Sequence, residues 1–198
     1  MIPNHIRAFI AIEIPRDIHE KIAQIINTID PNKSLSLRWI QTHNIHLTLK
    51  FLGDIPISHI NQIHALLIEY CKTLQQFDLT IRGIGAFPNA HRPRIIWLGI
   101  EVGHNLRVLQ AMIENALFPL GYQKEERNFS PHLTIGRVQK SAKPNDLEHI
   151  SSSLNAVNIN TIGTFSVNGI KLFKSTLKPE GAYYDEMWQI TFGDKLSI

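Results

Sequence analysis

The sequence predicts a single α+β domain, and three observations carry that expectation. Strand-like alternation and helix-like periodicity are interleaved along 198 residues. No linker or low-complexity tract divides them. One short motif occurs twice in strand-like settings, at residues 46 and 132. Apolar residues make up 43% and charged residues 19%, an ordinary globular balance with enough apolar material for a sizeable core.

The elements follow in order. Residues 6–14 alternate as a strand. After Pro15, Ile18, Ile22, Ile25, Ile26 and Ile29 recur at helical spacing over 16–29. A loop with Pro31 and Asn32 leads to a short strand at LRWI and a longer one over 45–52, which Gly53 closes. A helix over about 57–75 carries Ile60, Ile63, Leu67, Cys71 and Leu74 on one stripe. Strands at 77–86 and 94–100 follow, then a helix near 104–118 and the segment FSPHLTIGRV. Pro144 and Asn145 open a helix near 144–154. Strands at 159–167, 169–174 and 184–192 complete the chain.

The formal charge of +3 and the pI of about 9.0 are compatible with an anionic substrate such as a nucleotide or an RNA end. No apolar run reaches the roughly 20 residues of a membrane span. The start of the chain, with Glu13 and no small-residue cleavage site, does not resemble a signal peptide. The single cysteine, Cys71, excludes an internal disulfide and reads as a buried, inert thiol. A cytoplasmic monomer is the expectation.

The repeated motif carries the chemistry. NIHLTLKFLG places Leu47, Leu49 and Phe51 on one face of a strand and His46, Thr48 and Lys50 on the other. A single half-wet strand needs no function. FSPHLTIGRV repeats the pair as His132 and Thr134, and two wet faces with the same residues in the same order are harder to dismiss. Side by side, they would supply two imidazoles and two hydroxyls. One neutral imidazole can take a proton from water and one imidazolium can protonate a leaving oxygen. The hydroxyls can donate to phosphate oxygens. Zinc fits poorly, because Thr is a weak ligand and neither tetrapeptide contains Asp or Glu. Ser130, before Pro131, reads as part of a turn. His43 falls on the opposite parity from His46. His19, His59, His64, His104 and His149 are expected to be solvated.

These residues resemble the two-histidine phosphoesterases, and within them the bacterial and archaeal RNA 2′,3′-cyclic phosphodiesterases, also described as 2′-5′ RNA ligases. RAFIAIEIP resembles the opening strand of that family. RWIQTHNIHLTLKFLG and FSPHLTIGRV resemble its two motifs. GAFPNAHRPRIIWLGIE is similar to the strand pair between them, and LFKSTLKPEGAYYDEMWQI to its closing hairpin. The resemblance implies one domain over residues 1–198, with two pseudo-symmetric lobes bearing motifs 46–49 and 132–135. Antiparallel sheets would line a central cleft, with helices outside. It implies hydrolysis of an RNA 2′,3′-cyclic phosphate to a 2′-phosphomonoester with no cofactor and no metal. His46 would be the proton donor and His132 the proton acceptor, while Thr48 and Thr134 hold the phosphate. The implied partners are RNA ends, including tRNA fragments, and nucleotides.

Arg137, Phe51 and Lys50 are further substrate-binding candidates. By strict parity Arg137 and Phe51 face away from the histidines, so each requires a bend or bulge, with Gly136 and Gly53 as the candidate positions. Lys50 already has the right parity. Three alternatives stay open: 2′-5′ ligation in the same site, a module that binds RNA ends without turnover, and a different phosphodiester substrate.

Overall fold

The structure is a computed structural model that describes residues 4–33, 35–179 and 181–193. Its elements are β1 (His5–Glu13), α1 (Arg16–Ile29), β2 (Leu37–Trp39), a 3-10 turn (Thr42–Asn44), β3 (His46–Pro56), α2 (His59–Cys71), β4 (Phe77–Phe87) and β5 (Ile95–Ile100). These are followed by α3 (His104–Leu117), β6 (His132–Val138), α4 (Pro144–Ala156), β7 (Thr161–Val167), β8 (Gly169–Lys178) and β9 (Gly181–Thr191). Every element expected from the sequence is present. The closing hairpin is longer than its alternation suggested, because β8 and β9 pair from Gly169↔Thr191 out to Lys178↔Gly181.

The strands form one antiparallel sheet in the order β7-β4-β5-β6-β3-β1-β8-β9, with β2 paired to β6. The expectation of separate sheets is thereby corrected. The two motif strands meet at the Leu47↔Leu133 pair, and that ladder joins everything on either side. Each motif strand has a long partner on its outer flank, β1 for β3 and β5 for β6.

Helices cover one face of the sheet. Leu47, Leu49, Leu133 and Ile135 point into that layer with at most 3% exposure. There they join Ile18 and Ile22 of α1, Ile63 and Leu67 of α2, Leu106, Leu109 and Ile113 of α3, and Ile150 of α4 in a single core. Each such side chain contributes about 1.5–3 kcal/mol on burial. The stripes read from the sequence therefore face the sheet, and the other face keeps the polar residues of the motifs. Cys71 is buried, and burial pushes its thiol up to about 12, so it holds no thiolate at neutral pH.

Not all the remaining histidines are solvated. His104 and His149 are exposed as expected. His19 is half-buried, and burial lowers its pKa against a hydrogen bond to the Ile45 backbone. His59 Nδ1 lies 2.7 Å from Tyr122 Oη, and His64 packs edge-on against Trp188. Helical spacing placed these residues on helices, but it did not show which neighbours would close over them.

Candidate active site

The antiparallel register sets the geometry. With Leu47 opposite Leu133, the residues flanking this pair place His46 across from Thr134 and Thr48 across from His132. The two histidines are then diagonal neighbours on one face, about 7–8 Å apart by ordinary sheet geometry. All four side chains are half-buried. Neither Thr hydroxyl makes a side-chain hydrogen bond within the described residues.

Both imidazoles are held in the same way. His46 Nδ1 lies 2.8 Å from the Asn44 carbonyl and His132 Nδ1 lies 2.7 Å from the Ser130 carbonyl, in each case two residues upstream. A carbonyl only accepts, so Nδ1 must carry the hydrogen. Nε2 is therefore left as an acceptor in the neutral ring and a donor in the cation. No side chain announces this arrangement in the sequence, because the acceptors belong to the backbone.

The surroundings of the two rings differ. His46 stacks on Phe9 with centroids 4.5 Å apart and meets the edge of Tyr184 at 5.1 Å. His132 meets the edge of Phe87 at 5.0 Å and lies 6.4 Å from Trp97. Enclosure by β1 and the β8–β9 hairpin lowers the His46 pKa to about 4, mainly through desolvation, which the Asn44 hydrogen bond only partly offsets. His46 is neutral near pH 7 while no anion is near. An NMR titration of the free protein should place its midpoint about 2.5 units below the 6.5 of an exposed histidine. A midpoint at the ordinary value would contradict this enclosure.

Two bulges decide where the other candidates point. In the β1–β3 ladder Ala11 pairs with Thr48 and Ile10 with Lys50, so Leu49 has no partner. In the β5–β6 ladder Trp97 pairs with Thr134 and Ile96 with Gly136, so Ile135 has none. Each bulge reverses the parity beyond it. Phe51 thereby comes onto the histidine face, 72% exposed, with its ring 6.2 Å from Phe9. Burial raises the pKa of Tyr184, the neighbour of His46, and Arg137, itself exposed, lies close enough to that ring to offset part of the rise. The required bulges thus exist, but at Leu49 and Ile135. Gly136 has a different role: Trp39 lies across it, and a Cβ there would stand 2.9 Å from the indole. The indole N–H in turn donates to buried Asp30.

The same bulge takes Lys50 away from the site, which corrects the placement that parity gave it. Lys50 is 6% exposed, and its ammonium donates to Glu114 of α3 at 2.5 Å and to the Gln123 carbonyl at 2.9 Å. Residues that sequence reasoning did not single out are Phe9, Phe87, Trp97 and Tyr184, the rings around the two imidazoles. Alternation in IRAFIAIEI and RIIWLGI places Phe9 and Trp97 on strands, but their contact with a histidine requires the neighbouring ladders. Among the described residues, no three His, Cys, Asp or Glu side chains gather around a position that could hold a metal ion. No described helix is long and apolar enough to cross a membrane.

A family model described as the 2′-5′ RNA ligase superfamily matches residues 13–176, which include both motifs. The chain belongs to the 2′-5′ RNA ligase superfamily. Relatives within this superfamily extend over nearly the full length. A protein of Methanocaldococcus jannaschii is 34% identical over 90% of this chain and 96% of its own. One of Thermotoga maritima is 31% identical over 94% and 95%. Both are named RNA 2′,3′-cyclic phosphodiesterase, so the superfamily member described here falls within that enzyme family. E. coli LigT, solved in complex with 3′-AMP, shares the fold with a TM-score of 0.75 over 95% of this chain and 98% of its own, at 22% identity.

Proposed function

We propose that this 2′-5′ RNA ligase superfamily member hydrolyses RNA 2′,3′-cyclic phosphate ends to 2′-phosphomonoesters by acid–base catalysis between two histidines, without a metal. The observation that carries the reading is the pair of imidazoles anchored at Nδ1 and diagonal on one ladder, each across from a threonine hydroxyl. The phosphate sits between them. Thr48 and Thr134 donate to its non-bridging oxygens, where charge builds as water adds. His132 Nε2 takes a proton from the water whose oxygen bonds to phosphorus. The P–O3′ bond breaks, and His46 Nε2 gives its proton to O3′. The products are a 2′-phosphomonoester and a 3′-hydroxyl. Arg137 and Phe51 flank this centre as substrate contacts. The paired motif strands with matching bulges support a duplicated, two-lobed domain whose lobes meet at the β3–β6 ladder.

The donor role requires His46 to be charged, although burial holds it near about 4 in the free protein. The substrate supplies the compensation. One negative charge at about 4 Å and an effective dielectric of about 20 is worth about 4 kcal/mol, or about three pKa units. Bound phosphate therefore raises the His46 pKa back towards the pH of a neutral solution and favours the imidazolium, and saturation with a nucleoside 2′-monophosphate should move its NMR midpoint up by more than one unit. A midpoint that stays put would assign the donor role elsewhere.

The direct test is to incubate the protein, with EDTA present, with an RNA ending in a 2′,3′-cyclic phosphate and to identify the new end. A 2′-phosphate is expected. A 3′-phosphate, or activity abolished by EDTA and restored by Zn²⁺, would reject the mechanism. A joined 2′-5′ product from added 5′-hydroxyl RNA, with no hydrolysis, would make the chain a ligase.

A further inference from the structure

Arg38 is not part of the centre described above, yet it stands directly opposite Arg137 in the β2–β6 ladder. Residues paired in this way share a face, and like charges in such positions repel. Among the described residues neither arginine belongs to an ion pair. Arg38 is exposed and donates one hydrogen bond, at 3.3 Å, to the Pro179 carbonyl in the β8–β9 turn. Four of its five N–H donors remain for a ligand. Two facing guanidiniums without a carboxylate between them suit a shared anion.

Their position along the strand indicates which anion. Arg137 lies three residues beyond Thr134, roughly 10 Å at most at about 3.3 Å per residue, and Arg38 lies one strand further out. A phosphate between the two arginines is therefore a second one, distinct from the phosphate at the histidines. We infer that Arg38, together with Arg137, binds the internucleotide phosphate on the 5′ side of the reacting nucleotide. The enzyme then favours an oligonucleotide end over a mononucleotide. This deepens the proposed function and rests on it for the identity of the ligand.

The test compares a mononucleoside 2′,3′-cyclic phosphate with a short single-stranded RNA ending in the same group, in wild type, Arg38→Gln and Arg38→Lys. The wild type should prefer the oligonucleotide at low salt. Arg38→Gln should lower oligonucleotide kcat/KM about tenfold, leave the mononucleotide within about twofold, and flatten the dependence on log salt by about 0.7, the share of one single-strand phosphate. Arg38→Lys should recover most of the loss. Equal losses on both substrates would show a structural role and overturn the subsite, as would no loss on the oligonucleotide. Anisotropy measurements with the 2′-phosphate-ended oligonucleotide run in parallel. If the wild type turned over neither substrate, the hydrolysis reading would fall, while a weaker and less salt-dependent affinity in Arg38→Gln would still support the phosphate site and an unchanged one would reject it.

Discussion

Changing His46 or His132 to alanine is expected to lower turnover of an RNA 2′,3′-cyclic phosphate by about 10²–10⁴-fold in each case. At 1.36 kcal/mol per decade that is roughly 3–5 kcal/mol of lost transition-state stabilisation. The double variant should be little worse than the poorer single, because the two rings act on one proton circuit and such losses do not add. Thermal melts serve as a control, since His46 stacks on Phe9 and its removal opens a gap. The roles separate with a diester carrying a nitrophenyl leaving group, which departs without a proton. His46→Ala should recover most of its activity on that substrate and His132→Ala should not. Recovery by the other variant would exchange the two roles, and full turnover of the RNA substrate by either single variant would end the acid–base account.

The second large effect concerns stability. Lys50→Met should cost about 3–5 kcal/mol, because it leaves the Glu114 carboxylate buried with Gln110 as its one remaining partner among the described residues. At about 2–4 °C per kcal/mol for a chain of this size, the melting temperature should fall by roughly 6–20 °C. Lys50→Met with Glu114→Leu removes both charges and should regain most of that loss. At a temperature where Lys50→Met is folded, its KM should stay close to wild type. A raised KM with an unchanged melting temperature would return Lys50 to the substrate site and refute the buried pairing.

Lys50 also shows where sequence reasoning reaches its end. The alternation in HLTLKF is real, and it places His46 and Thr48 together on the correct face. Two residues later the same rule fails. Nothing in Leu-Lys or Ile-Gly marks a bulge, because a bulge is a mismatch between two strands, and β1 and β5 decide it. The need for a parity reversal at Phe51 and Arg137 was legible, since only a bulge could bring them to the histidines. Its location was not, because Gly53 and Gly136 were the conspicuous residues, whereas the ladders skip Leu49 and Ile135.

The sequence by itself determined the interleaved elements, their core stripes, the two His–Thr pairs and the family. Those depend on local periodicity and on residue types that chemistry restricts. Only the tertiary structure decided that β3 and β6 meet at Leu47↔Leu133, that two backbone carbonyls orient the imidazoles, that enclosure by Phe9 and Tyr184 lowers the pKa of His46 and that Lys50 turns inward while Arg38 faces Arg137. Each of these depends on which strand lies alongside which, a relation between segments far apart in the chain that no local pattern encodes.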